Sequence, residues 1–244
     1  MGNLNYIVFG GVDSRDYGIY ISGEGVFNAP ERDVEVVNIP GKDGDLLIDR
    51  GRFLNIQVTY PGFNFEPDLS TFAERLRAFR AALTSQIGYQ RLEDSFHPDE
   101  FRLASFRDGL DVKPVMYNTA STFDIVFDCK PQRFLKSGEE EITITSGDEL
   151  DNPSPFEALP LIEVVGVGSL TVGNITVTIT GEATQDIFID SDIMEAYEDD
   201  NGAIISRNDR ISLSGMHFPT LGTDTGITYT GLTSVKVTPR WWTI

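Results

Sequence analysis

The chain has 244 residues, and its 19 Lys and Arg residues stand against 38 Asp and Glu residues, a formal net charge of −19. So acidic a surface repels a phosphate backbone, which excludes nucleic-acid binding as the default function. Hydrophobic residues make up 40% of the chain and aromatic residues 11%. That is enough apolar material for a packed core, so the composition predicts a folded protein.

The charge is distributed unevenly along the chain. Residues 1–135 hold 14 basic and 20 acidic side chains, or −6, whereas residues 136–244 hold 5 and 18, or −13. Turn-forming and acidic residues concentrate between these two parts. We therefore expect an N-terminal domain at 1–135, a linker with one short strand at 136–155 and a C-terminal domain at 156–244. The last strand, 234–244, either belongs to the C-terminal domain or packs back on the N-terminal domain.

Apolar and polar residues alternate with a period of two in several segments, which predicts half-buried antiparallel strands. The clearest segments are 54–60, 123–129 and 175–180. Asn201-Gly202 has the composition of a type I′ hairpin turn, because both residues tolerate positive φ. The short strands after residue 155 are spaced as in a β-sandwich.

One segment has a helical period instead. Phe72, Leu76, Phe79 and Leu83 recur at steps of four, three and four, which predicts one amphipathic helix at about 68–85. Three residues remain candidates for the cap at its start, namely Asp68, Ser70 and Thr71.

Residues that carry catalysis are scarce. The chain has two histidines, His97 directly before a proline and His217 two residues before one, both in turn-like contexts, and it contains no Gly-x-Ser-x-Gly elbow. It also lacks paired zinc-ligand motifs and a phosphate-binding glycine loop. The acidic run at 190–200 lacks the spacing of an EF-hand, and we interpret it as a solvated hairpin edge. The sequence thus predicts no enzymatic activity, no cofactor and no metal site.

The N-terminus has neither the charge nor the apolar run of a signal peptide, and no 18 apolar residues run together. Membrane insertion is therefore not expected. Two other features suit contacts between proteins. Arg240, Trp241 and Trp242 belong to the residue types that dominate interfaces, although they equally suit a core. The charged segment at about 40–55 forms a hairpin that projects to a neighbour or merely turns the chain.

A series of short motifs, in this order, resembles the distal tail proteins of long-tailed phages and prophages of Gram-positive bacteria. The motifs cover essentially the whole chain and lie at 11–20, 29–35, 39–44, 88–98, 127–134, 156–162 and 239–244.

The resemblance implies a mainly β protein. Its N-terminal β-sandwich or barrel-like domain would carry one helix and a protruding hairpin, and a galectin-like sandwich would follow. It further implies a homohexameric ring at the distal end of the tail tube, which links the tube to tail-tip, baseplate or receptor-binding proteins. Such a protein is made in the host cytoplasm and resides in the virion tail. We expect the ring contacts in the less acidic first half, with Arg32, Lys42, Arg50 and Arg52 as candidates.

Two other functions remain open. The first is a carbohydrate-binding module, which a galectin-like sandwich suggests by analogy of fold alone. Sugar sites use aromatic platforms, and residues 136–215 offer only Phe156, Phe188 and Tyr197. The second is a cell-wall hydrolase, which rests on carboxylates alone.

Overall fold

A computed structural model describes residues 4–22, 27–66, 68–115, 120–182 and 186–244. The chain divides into two compact units, Met1–Arg133 together with Ile244, and Phe134–Thr243. The elements that begin in the first unit are β1 (Ile7–Phe9), β2 (Val12–Asp13), a 3-10 helix (Ser14–Tyr17), β3 (Ile19–Ile21), β4 (Arg32–Asn38), β5 (Asp45–Phe53), β6 (Ile56–Phe65), α1 (Leu69–Ser85), β7 (Gln90–Asp94), β8 (Glu100–Ser105), β9 (Lys113–Val115) and β10 (Ala120–Leu135).

The first unit is built on one sheet with a separate hairpin. The strands of the sheet follow the order β2-β1-β7-β8-β10-β6-β3, and β9 also pairs with β10. Among the strands of the described residues, β4 and β5 pair with each other and with no other strand. β6 and β10 form a long antiparallel ladder from Ala120↔Phe65 to Cys129↔Ile56, which places Phe123, Ile125 and Phe127 on the buried face.

The predicted helix is confirmed, and Asp68 is its cap. The Asp68 carboxylate accepts a hydrogen bond from the Thr71 amide at 2.8 Å. The four apolar residues of the helical period are buried in the core, together with Phe9, Tyr60 and Phe127. Their spacing of one helical turn puts them all on the face that packs against the sheet.

The second unit contains β11 (Ile142–Thr143), β12 (Asp148–Leu150), β13 (Leu161–Val172), β14 (Ile175–Ile179), β15 (Asp186–Asp190), β16 (Glu195–Asp200), β17 (Ala203–Ser206), β18 (Ile211–Leu213), β19 (Thr225–Thr238), β20 (Trp242–Thr243) and short 3-10 helices at Lys136–Glu139 and Asn208–Arg210. The main sheet has the order β11-β19-β13-β15-β16-β17. β12 pairs with β19, while β14 pairs with both β13 and β18.

The two cores differ in composition. The first is rich in phenylalanine, whereas the second consists mainly of aliphatic residues from alternating positions of β13, β14, β15 and β19. The predicted alternation at 175–180 is confirmed, since Ile175, Val177 and Ile179 are buried. The expected strand at 54–60 begins two residues later, at Ile56, and Leu54 remains 39% exposed.

Candidate functional site

The β4–β5 hairpin forms a two-stranded sheet of its own, and most of its residues are exposed. The register runs from Arg32↔Phe53 to Asn38↔Asp45. Its strands therefore reach back to residue 32, further than the segment at about 40–55 that the charge pattern indicated. Every residue from Pro40 to Arg52 is exposed. A two-stranded hairpin is marginally stable in water by itself.

Cross-strand ion pairs hold the two strands together. They join the candidate contact residues of the sequence to carboxylates of the same hairpin, with Arg32 to Asp49 at 2.6 Å, Arg50 to Glu35 at 3.1 Å and Arg52 to Asp33 at 2.7 Å. Lys42 lies at the exposed turn and forms no ion pair with any residue in the described ranges. Three of the four predicted contact cations are thus engaged inside the hairpin.

The carboxylate of Asp49 accepts two hydrogen bonds near the open end of the hairpin, away from its turn. The Gly51 amide donates a hydrogen bond to it at 2.8 Å, and Arg32 donates another from the opposite strand. These two hydrogen bonds lower the pKa of Asp49 below its usual value. Asp49 is therefore ionised at neutral pH, and its carboxylate accepts hydrogen bonds from residues of both strands.

Apolar side chains cover both faces of the same hairpin. Val36 and Leu47 lie directly opposite each other on one face and are 60% and 66% exposed. Leu46 and Ile48 lie on the other face, at 47% and 45%. Exposed apolar side chains grouped in this way are candidates for burial in a contact between proteins.

Sequence reasoning selected the charges and missed these apolar residues. The signal was present in the run Leu46-Leu47-Ile48, because three consecutive apolar residues in a strand point to both faces. A strand that packs on a core through one face alternates instead.

The three C-terminal candidates all lie in the second unit. Trp241 is 5% exposed and belongs to the hydrophobic core. Trp242 stacks on Phe156 with ring centroids 4.6 Å apart, and its Nε1 donates a hydrogen bond to the Glu157 carbonyl at 2.9 Å.

Arg240 forms an ion pair with the buried carboxylate of Asp190. Its Nη1 and Nη2 donate to the two oxygens of Asp190 at 2.7 and 2.9 Å. Burial raises the pKa of Asp190, but the Arg240 hydrogen bonds and charge outweigh burial and lower it. The pKa of Arg240 is raised by the same hydrogen bonds. This pair joins the segment around Arg240 to the end of β15 within the second unit.

Neither histidine forms part of a nucleophilic arrangement. His97 Nδ1 lies 3.0 Å from the carboxylate of Asp94, which also accepts a hydrogen bond from the Tyr60 hydroxyl at 2.8 Å. His217 Nδ1 lies 2.9 Å from the carbonyl oxygen of its neighbour Phe218. Within the described ranges, no three His, Cys, Asp or Glu side chains are grouped so as to hold a metal ion.

No helix among the described residues combines the length and apolar character needed to cross a membrane. Among the described residues, the hairpin carries a run of exposed positions, from Pro40 to Arg52.

Neither a family model nor a curated protein sequence matches the chain. Solved structures do match. The Dit protein (gp 19.1) of phage SPP1, described as a paradigm of the hub adsorption apparatus of phages that infect Gram-positive bacteria, superposes with a TM-score of 0.73 at 13% identity. The match covers 96% of this chain and 98% of that one.

The phage P2 baseplate in its activated conformation also matches. Its calcium form gives a TM-score of 0.54 and its strontium form 0.52, both at 10% identity and over 96% of this chain and 97% of the other. The chain therefore has the fold of phage hub and baseplate proteins. This result confirms the mainly β fold class with one helix and a hairpin, which is the fold that the resemblance implies.

Proposed function

We propose that this protein is a structural phage tail component that assembles into a ring, a homohexamer, at the distal end of the tail tube. The observation that carries the proposal is the end-to-end match with SPP1 Dit, which spans both units and includes 96% of the chain. A match over one unit alone would indicate a shared domain, whereas a match over both indicates a shared architecture.

The ring contact is assigned to the β4–β5 hairpin. Four exposed apolar side chains, Val36, Leu46, Leu47 and Ile48, supply area to bury, and Lys42 supplies a cation at the tip. A ring requires a heterologous contact, in which one surface of a subunit meets a different surface of the next. A projecting hairpin suits this geometry because it reaches a neighbour without pairing with that neighbour's own hairpin.

The experiment measures the mass of the full chain by light scattering over a concentration series and images it by negative stain. We expect particles with six times the mass of the chain and a six-fold ring in projection. Leu47→Asp and Val36→Asp place a charge in the proposed contact and should shift the equilibrium to monomer. Both residues are exposed within the chain, so each variant should keep the circular dichroism spectrum of the wild type.

Met216→Asp is the matched control. It makes the same chemical change at an apolar residue that is fully exposed in the second unit, and it should leave the assembly unchanged. A wild-type chain that remains monomeric up to about 1 mM, a concentration at which even weak contacts form, would overturn the ring. Equal loss of assembly in Met216→Asp and Leu47→Asp would overturn the assignment to the hairpin.

The ring would connect the tail tube to tail-tip and receptor-binding proteins in the virion tail, after synthesis in the host cytoplasm. In this proposal, residues 1–135 form the ring and the later residues carry partner contacts. The acidic second half supports that division, because its −13 charge favours solubility at an exposed position. No nucleic-acid partner and no membrane insertion are proposed.

A second candidate function, carbohydrate binding, has one favourable observation. Phe188 and Tyr197 stack across β15 and β16 with centroids 5.4 Å apart and planes at 18°, on the sheet face that points away from the core. Titration of cell-wall polysaccharide should then give saturable binding that Tyr197→Ser weakens, because Tyr197 supplies one of the two stacked rings. Absence of saturable binding removes this candidate and leaves the ring proposal untouched.

A further inference from the structure

Strand β17 ends the main sheet of the second unit within the described part of the chain. It pairs with β16 through a tight turn, in which Asn201 and Gly202 have φ of 54° and 93°. This confirms the predicted type I′ turn. All four residues of β17, Ala-Ile-Ile-Ser, are exposed. Edge strands are normally protected from pairing by short length, lysine, proline or a bulge. β17 is short, with four residues, but it contains no lysine, no proline and no bulge.

The register determines which backbone groups of β17 face outward. In a two-residue hairpin the residues that flank the turn, here Asp200 and Ala203, exchange hydrogen bonds, and the bonded pairs then alternate. Ala203 and Ile205 therefore bond to β16, while Ile204 and Ser206 present their backbone groups to the open edge. Arg207 Nη1 lies 3.5 Å from the Ser206 carbonyl at the far end of this edge.

The side chains along the edge combine apolar and acidic character. Ile204 is 69% exposed on the face that it shares with Asp199, and Ile205 is 37% exposed on the other face. Asp199 and Asp200 are exposed beside the turn. An added strand would lie about 5 Å from β17 and about 10 Å from β16, the strand that carries Asp199 and Asp200, so a lysine on it meets these carboxylates by extending across β17.

The positive charges of the second unit are already occupied. Four of its five basic side chains form ion pairs inside the unit, namely Arg207 and Arg210 with Glu198, Lys236 with Glu163, and Arg240 with Asp190. Over 136–244 the 18 acidic residues outnumber the 5 basic ones, so this part of the chain keeps an excess of negative charge. A partner on this surface must bring its own positive charge.

We propose that β17 is a docking edge for an extended segment of a partner protein, which adds to the sheet as a further strand. The segment alternates apolar residues, which cover Ile204 or Ile205, with basic residues, which face Asp199 and Asp200. Main-chain hydrogen bonds supply affinity in this mode of binding, and the side chains supply specificity. The inference concerns the second unit and does not depend on ring formation.

The probe is a short capped peptide that alternates valine and lysine, compared with the same peptide with glutamate in place of lysine. Amide hydrogen exchange of the full chain, followed residue by residue, reports binding. We expect the lysine peptide to slow exchange at Ile204 and Ser206 at least about tenfold, because these amides become hydrogen-bonded. The glutamate peptide should leave them unprotected.

Ile204→Pro removes the outward amide and leaves the bonds to β16 in place, since proline is tolerated at edge positions whose N–H faces solvent. It should weaken binding of the lysine peptide about tenfold or more, while the conservative control Ile204→Val should stay within about twofold. Asp200→Asn, which removes only a charge, should weaken binding about two- to fivefold.

Four results would overturn the proposal. The first is that the amides of Ile204 and Ser206 stay unprotected at saturating lysine peptide, and the second is that the glutamate peptide binds equally well. The third is that the Ile204→Pro variant binds the lysine peptide as tightly as the wild type does. The fourth is that the wild-type chain forms a dimer that the Ile204→Pro substitution dissociates. The last result would show that a second copy, and not a partner segment, occupies the edge. Tryptophan fluorescence should report the same unfolding midpoint for Ile204→Pro and Ile204→Val. If the proline variant is unstable, the Asp200→Asn comparison decides.

Discussion

Breaking the ion pair between Arg240 and Asp190 should destabilise the second unit. Asp190 is 5% exposed, whereas the Arg240 side chain keeps 30% of its surface in contact with solvent. Removal of one partner from a fully buried pair costs about 3–5 kcal/mol, because the other charge is left unpaired. In Asp190→Asn, water still reaches Arg240 and one acceptor oxygen remains. We therefore expect a loss of about 2–3 kcal/mol in the free energy of unfolding.

Urea unfolding followed by tryptophan fluorescence measures this loss selectively. The chain has two tryptophans, Trp241 and Trp242, and both lie in the second unit. Asp192→Asn is the matched control, since it makes the same change at an exposed residue nearby and should alter the free energy by less than about 0.5 kcal/mol.

A double-mutant cycle separates the pair from the effect of each residue alone. Arg240→Gln and Asp190→Asn, singly and together, should give a coupling energy of about 2 kcal/mol. The reasoning would be refuted by a coupling below about 0.5 kcal/mol, or by an Asp190→Asn variant no less stable than its control.

The same pair also predicts a pH dependence. The pKa of Asp190 is lower in the folded chain than its value of about 3.9 in an unfolded chain. A lowered folded pKa contributes stability that is fully present above the unfolded pKa and is lost as the pH falls through the folded pKa. The difference in stability between wild type and Asp190→Asn should be constant above about pH 5 and shrink progressively in more acidic solution.

Three further predictions concern the cores. Gly138→Ala should lower the free energy of unfolding of the second unit by about 1–3 kcal/mol, because the new Cβ overlaps the Trp241 backbone nitrogen, and an unchanged fluorescence midpoint would contradict this. Burial raises the pKa of Cys129 to about 12, so its thiol should resist a disulfide reagent at pH 8 until urea unfolds the chain; rapid labelling of the native protein would disagree. Tyr60→Phe should cost about 1 kcal/mol in urea unfolding followed by circular dichroism, since its hydroxyl donates to Asp94, and a stabilised variant would rule this out.

Short sequence patterns predicted those elements whose conformation depends on neighbouring residues in the sequence. The helix follows from four apolar residues at helical spacing, and the turn at Asn201-Gly202 from two residues that tolerate positive φ. Both are confirmed. In each case the residues that determine the structure lie close together in one short segment of the sequence.

Contacts between distant residues were beyond the same reasoning. The pair formed by Arg240 and Asp190 joins residues 50 positions apart. Gly138 lies against the backbone of Arg240 and Trp241, across about a hundred residues of chain. Composition assigned Arg240 and Trp241 to a core or an interface without deciding between them, because both environments favour the same side chains.

The acidic run Glu198-Asp199-Asp200 shows how strand alternation divides neighbouring charges between two roles. Glu198 points inward, is 7% exposed and binds both Arg207 and Arg210 at 2.8 Å. Asp199 points to the opposite face and remains in solvent with Asp200. Of the acidic run at 190–200, Asp192, Asp199 and Asp200 are exposed as the sequence interpretation expected, whereas Asp190 and Glu198 are buried, and for these two the interpretation is wrong. β16 thus uses one carboxylate to bind cations of its own unit, while its next two carboxylates keep the surroundings of the β17 edge negative, which suits a positively charged partner strand.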